Sequence, residues 1–154
     1  MVSPLPVPFH KQEGDVYCLP ACVQMVLSYW GKSPSQRKLA RQLKLRDGLG
    51  APAHNILRLS QRKHTILHTT GSLEDIQNWL DQRIPVIIFL QAGELPHWPD
   101  AWSQHAIVVI GMNDSHIIAL DPAHDDHPIA IPTGDFMLAW LEMDYLYAVI
   151  HPKP

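Results

Sequence analysis

Residues 12–31 read QEGDVYCLPACVQMVLSYWG. A polar approach gives way at Cys18 to a run of strong helix material. Pro20 falls in the first turn, where a missing N–H costs nothing, and Gly31 supplies the stop. Apolar side chains nearly all round predict a helix over 19–30 buried at the centre of the domain. Cys18 then stands at the positive end of a helix dipole, one way to lower a thiol pKa and hold a thiolate. Gln12 lies six residues upstream, near enough to bring an amide N–H beside the same sulfur.

The rest of the composition bounds what such a thiol serves. With 154 residues, 46% hydrophobic and 18% charged, the chain is expected to fold as one domain, 1–154, around its own core. A formal net charge of −3 and no basic stripe argue against nucleic acid as the main partner. Residues 1–10 lack the basic and apolar regions of a secretory signal. The longest apolar runs, 86–90 and 106–110, are too short to span a bilayer, so no membrane segment is expected. Cys18 and Cys22, the two cysteines of the chain, sit too close in one helix for a good disulfide. They read as free thiols in a reducing, cytoplasmic compartment. Ten histidines keep acid–base and metal chemistry open.

Along the chain, 1–11 is proline-rich and expected to be extended, with a short strand at 7–10. Ser33 is expected to cap a second helix reaching about residue 43, with Pro34 first in it and Gln36 completing a capping box; its outer face is basic. A third helix is expected over 53–62, a strand over 64–69, and a fourth helix over 73–81 opened by Ser72 with acids in its first turn. The apolar stretches 85–90 and 105–112 read as central strands. A turn at Asn113–Ser115 makes 116–120 the hairpin partner of 105–112. A strand at 129–131, a helix capped by Thr133 and a strand at 145–151 close the chain. Helices come first and a mostly antiparallel sheet follows, which is an α+β order with segregated halves.

A cysteine-centred site needs a thiolate, a histidine to take and return the proton, a group to orient that histidine, and donors for the oxyanion. Cys18 supplies the first. His105 opens a buried strand just after a loop. In a hairpin turning at 113–115, paired residue numbers sum to about 228, which puts Asp121 beside Ile107 and within reach of His105. Gln12 and the backbone N–H of Cys18 are the candidate oxyanion donors.

Gln12, Cys18, Pro20-Ala21 and the helix ending Tyr29-Trp30-Gly31 resemble the start of the bacteriocin-processing, double-glycine-leader cysteine peptidases of the papain-like superfamily. HAIVVIG at 105–111 and ALDP at 119–122 resemble that family's second half. The resemblance covers about residues 7–150. It implies a papain-like α+β fold, with a long central helix packed on a C-terminal antiparallel sheet. It implies Cys18 as nucleophile, His105 as base and acid, Asp121 as orienting group and Gln12 in the oxyanion hole. The implied reaction cleaves a peptide or isopeptide bond through an acyl-enzyme, without metal or organic cofactor. Its partner is a peptide or protein substrate, with a further partner protein or transporter left unidentified. Where that family carries Gly after its cysteine, this chain carries Leu19, which would narrow the cleft.

Other readings stand beside this one. Cys22, one turn past Cys18, is expected to face the core. Asn113 and Asp114 compete with Asp121 as orienting group, but fit a hairpin tip better. The cluster His116, His124, Asp125, Asp126, His127 invites a metal, against a solvated loop at 123–128. Trp98 and Trp102 line a peptide groove or cover the core edge, and His10 and Gln91 border the site at most. The same thioester serves acyl transfer, and the same cleft without turnover serves a peptide-binding module.

Overall fold

The computed structural model describes residues 3–59, 63–99 and 101–154. Helix α1 (Cys18–Tyr29) and helix α2 (Gln36–Gln42) come first, followed by a 3-10 segment at Ala53–Leu59. Strand β1 (His64–Thr70), helix α3 (Leu73–Asp81), β2 (Val86–Gln91), β3 (Gln104–Met112), β4 (His116–Leu120), β5 (Ile129–Pro132), helix α4 (Thr133–Leu141) and β6 (Leu146–Pro152) follow. The strands form one sheet in the order β1-β6-β2-β3-β4-β5, and every neighbouring pair is antiparallel. The α+β expectation holds, with α3 and α4 interleaved among the strands.

Helix α1 forms because its apolar side chains have a sheet and a second helix to pack on. Ala21, Cys22, Val23, Met25 and Val26 are completely buried, and the helix lies against β3 and α2. Its end is a Schellman motif: Gly31 adopts φ 85°, its N–H donates to Ser28 O at 3.0 Å, and the Lys32 N–H reaches Leu27 O at 2.9 Å. Such a turn needs the left-handed conformation that glycine takes without steric cost.

The central strands are buried on both faces, which explains their unbroken apolar runs: β2 and the middle of β3 are enclosed. β3 and β4 pair as the hairpin arithmetic requires, with Val108 opposite Leu120 and Val109 opposite Ala119. An irregularity between Val109 and Gly111 then shifts the register by one. Asn113 closes the tip, its side-chain oxygen accepting from the N–H groups of Ser115 and His116 at 2.9 and 2.8 Å. That is the work expected of a hairpin residue. Gly111 leaves room for the N-terminal segment, since a Cβ there would come within 3.3 Å of Pro4.

Several local expectations are corrected. The cap of α2 is Ser35, whose side chain accepts from the Lys38 N–H, and not Ser33. Gln36 therefore completes no capping box. Residues 53–59 form a 3-10 segment; the expected continuation of that helix to Arg62 lies outside the described residues. Thr133 is the first residue of α4, not its cap, and the helix start has no side-chain capping bond. Residues 7–10 form no strand of the sheet. At α3 the box does form: Ser72 Oγ accepts from the Asp75 N–H, and an Asp75 carboxylate oxygen accepts from the Ser72 N–H at 2.8 Å.

Candidate active site

Cys18 is the first residue of α1. Tyr17 before it makes no side-chain capping bond, and no acid occupies the first turn. The unpaired N–H groups of the helix start are thus left to the sulfur and its surroundings. Cys18 is partly exposed and Cys22 buried, both as free thiols. Burial raises the Cys22 thiol well above its ordinary value, and the nearby Cys18 and Asp121 add to that. Cys22 therefore faces the core, as its spacing from Cys18 suggests.

Packing α1 onto β3 sets Cys18 beside the start of that strand. His105, second residue of β3, stands opposite Leu90 of β2. Asp121 follows the last residue of β4 and is wholly buried. Its Oδ1 lies 2.7 Å from His105 Nε2 and accepts from the Ala123 N–H at 3.0 Å. Its Oδ2 lies 2.8 Å from His97 Nε2 and accepts from the Trp98 indole N–H at 2.8 Å. With Nε2 engaged, His105 is left with Nδ1 for the thiol.

The electrostatics follow from this packing. Burial alone would raise the Asp121 carboxyl, but hydrogen bonds from His105 and His97, the His105 charge and the Trp98 N–H outweigh it. The carboxyl is held well below the usual carboxylate range. Burial likewise opposes the charged forms of the other two groups. Hydrogen bonding and charge from His105, with the N–H groups of Ala106 and Leu19, still bring Cys18 below an ordinary thiol. Hydrogen bonds to Asp121 and Cys18, with their charges, bring His105 up to about 10. These directions favour a thiolate beside an imidazolium, with the carboxylate behind it.

A cleft of about 390 Å³ opens over this group. Cys18, His105 and Gln104 line it together with Leu19, Leu49 and Met143. Leu19 is 4% exposed, so the residue after the cysteine is built into the cleft wall. Leu49, at the tip of a tight turn in which Arg46 and Gly50 exchange backbone hydrogen bonds, is 81% exposed at the rim.

Gln12 is brought near but turned aside. Its backbone N–H donates to Pro122 O at 2.8 Å, tying it to the residue after Asp121. Its side-chain amide donates to Gly14 O at 2.8 Å and Asp15 O at 3.3 Å, while Oε1 is buried without a donor. Gln12 is not among the residues lining the cleft.

Three residues outside the expected set hold the site. His97 and Trp98 carry half of the Asp121 hydrogen bonds, so Trp98 is neither groove wall nor mere cover. The buried Gln36 amide donates to Lys11 O and Gln24 Oε1, and its oxygen accepts from the Glu13 N–H at 2.9 Å. It grips the backbone on either side of Gln12. Trp102 lies over Gly93, where a Cβ would meet its ring at 2.6 Å, and is 64% exposed away from the cleft. His10 faces Ser28 and Gln91 accepts from the Gly93 N–H; neither lines the cleft. Within 123–128, Asp125 pairs with Lys11, His124 accepts from the Asp126 N–H, and His127 stacks on Phe9 at 4.0 Å. Among the described residues, no group of three or more His, Cys, Asp or Glu is gathered to hold a metal. No helix among them is long and apolar enough to cross a membrane.

Solved structures of peptidases share this architecture. A Bacillus anthracis protein described as a C39-like peptidase superposes with a TM-score of 0.79 at 21% identity, covering 96% of each chain. The double glycine motif protease of an AMS/PCAT transporter, solved with its leader peptide, gives 0.75 at 18% identity over 97% of this chain and 94% of that one. The peptidase domain of Streptococcus ComA, a bifunctional ABC transporter of a quorum-sensing pathway, gives 0.75 at 20% identity over 94% and 97%. No curated protein matches the chain by sequence. The fold is that of the papain-like peptidases, as the sequence resemblance implies. A family model matches residues 4–148, a span that takes in α1, the whole β3–β4 hairpin and the approach carrying Gln12, and the chain therefore belongs to the Peptidase C39 like family.

Proposed function

We propose that this protein is a thiol peptidase that cleaves a peptide or isopeptide bond with Cys18 as nucleophile. The observation that carries the reading is the run from the Cys18 thiol through His105 to the buried Asp121, whose Oδ1 lies 2.7 Å from His105 Nε2. The Cys18 proton resides on His105, and the thiolate sulfur attacks the substrate carbonyl carbon. The oxyanion takes hydrogen bonds from the Cys18 N–H and from the Gln12 amide. Turning that amide out of its loop gives up bonds to two carbonyls, yet its Oε1 is already without a partner. His105 passes its proton to the leaving amine as the C–N bond breaks, leaving a thioester. Water, deprotonated by His105, attacks the thioester and frees the acid and the thiol. Asp121 holds the imidazole in orientation throughout and stabilises its charge.

The work is done by a substrate chain lying in the cleft between Leu19 and Met143, with the protein acting on the cytoplasmic side. Cleavage of blocked peptides, followed by mass spectrometry, is expected for the full chain and for Cys22→Ala, and is expected to vanish in Cys18→Ala. Full activity in Cys18→Ala would overturn the scheme. Added amine nucleophiles distinguish hydrolysis from acyl transfer by the mass of the product.

A further inference from the structure

The net charge of −3 conceals an uneven distribution. Residues 16–73 hold nine of the twelve lysines and arginines but one of the fifteen acids, Asp47. Three of these cations meet at one place. Lys44, Arg46 and Arg58 line a groove of about 630 Å³. Four residues, Leu49, Gly50, Ala51 and Gln104, line both this groove and the cleft over Cys18. The two adjoin along these residues as a trough with the Cys18 thiol on one side and the cations on the other.

Local structure fixes the cations there. Lys44 follows the end of α2 with φ 58°, and its N–H and that of Leu45 close a Schellman turn on Arg41 O and Ala40 O. Arg46 begins the tight turn that carries Leu49, and Arg58 projects from the 3-10 segment. That segment is anchored by the buried Asn55, which donates to Leu43 O at 2.8 Å. Among the described residues none of the three cations pairs with a carboxylate. The nearest acids in sequence and lining are Asp47 in the turn and Asp15 in the cleft. Three cations, unpaired among the described residues, beside an exposed Leu49 form a surface suited to a chain that is acidic next to an apolar residue.

We infer that the trough selects peptide substrates carrying acidic side chains a few residues from the scissile bond, held by Lys44, Arg46 and Arg58. The inference rests on the peptidase reading, and it names the substrate class of that same cleft. An extended peptide advances about 3.3 Å per residue, so the groove sets a register: acid at one end, scissile carbonyl over Cys18 at the other. Arg46 and Arg58 offer planar forks for carboxylates, and the exposure of the groove makes the attraction salt-sensitive.

Binding to the Cys18→Ala chain tests this without requiring turnover. The probes are blocked octapeptides of Gly, Ala and Leu with a Glu-Glu or a Lys-Lys pair moved along the sequence. The expected result is a register at which Glu-Glu binds about tenfold tighter than Lys-Lys, with most of the difference lost between about 50 mM and about 500 mM salt. Lys44→Gln/Arg46→Gln/Arg58→Gln together should abolish the preference, while Lys32→Gln/Lys153→Gln should retain it. Single Arg58→Gln, at an exposed position, should weaken it and provides the same reading if the triple variant unfolds. Equal binding of the two series, no binding by either, an acid preference that survives loss of the three cations, or tighter binding of an eight-nucleotide oligothymidine would each overturn the inference. Cleavage of any peptide by the unmodified protein reads the peptidase assignment separately.

Discussion

Asp121 accepts from four donors through two oxygens, and that arrangement sets the protonation of the whole site. Its hydrogen bond is the largest of the effects that hold His105 up at about 10 against burial, ahead of the hydrogen bond to Cys18 and the charges of both groups. Asp121→Asn removes the charge while keeping the shape. The alkaline limb of kcat/KM is expected to fall from about 10 toward the ordinary imidazole value of 6.5, with activity at neutral pH down about a hundredfold or more. A pH–rate profile measures both. His97→Ala acts differently. It leaves Asp121 Oδ2 with Trp98 alone, so stability is expected to fall by about 1–3 kcal/mol in urea titration. The alkaline limb should stay high, because the Asp121 hydrogen bond and charge beside His105 remain. His97 is in this sense a positioning residue.

Elements, not single residues, bring Cys18, His105 and Asp121 together, and here the legibility of the sequence divides. The β3–β4 register follows from a turn at Asn113 and strand pairing, so the nearness of His105 and Asp121 could be read by counting. The start of α1 could be read from Cys18, Pro20 and Gly31. What stayed hidden depends on contacts between distant segments. Gln36 has the spacing of a capping residue, yet its amide reaches Lys11 and Glu13 across 25 and 23 residues. His97 and Trp98 lie in a loop whose composition shows only prolines and tryptophans. Ser33 and Ser35 are equally good caps by type; packing of α2 decides for Ser35. Gln36→Leu is expected to cost about 1–3 kcal/mol through the stranded backbone groups of Lys11 and Glu13. It should also lower kcat more than it raises KM, because the segment it frees carries Gln12. Gly71→Ala should lower stability too, since its Cβ would fall 2.6 Å from Asp75 Oδ2 and 2.7 Å from Tyr147. Losing the α3 capping box costs about 1 kcal/mol, and a thermal melt reads it.

At the scale of the molecule, a basic helical half meets an acidic sheet half along the cleft, and the buried charges link stability to pH. Asp121, held low, contributes stability above its ordinary value of 3.8 and loses it as pH falls below that. His105, held high, contributes fully below 6.5 and loses its contribution as pH rises toward about 10. Cys18, held low, gains as pH rises toward its ordinary value of 9.0 and so offsets His105 over the neutral to mildly alkaline range. Unfolding free energy is therefore expected to fall less steeply between about pH 7 and about pH 9 than the His105 shift alone would make it, and to drop below about pH 4. Asp121→Asn should remove part of the acid drop, as read by urea titration across the range.

The proposed thiolate–imidazolium pair is the central claim, and the pH dependence of Cys18 alkylation tests it most directly. With iodoacetamide and mass spectrometry to locate the label, Cys18 is expected to react with an apparent pKa below that of an ordinary thiol while Cys22 stays unmodified. In His105→Ala the Cys18 titration should move back up. An unmodified chain whose Cys18 titrates like a free thiol near 9.0, unchanged by loss of His105, would contradict it.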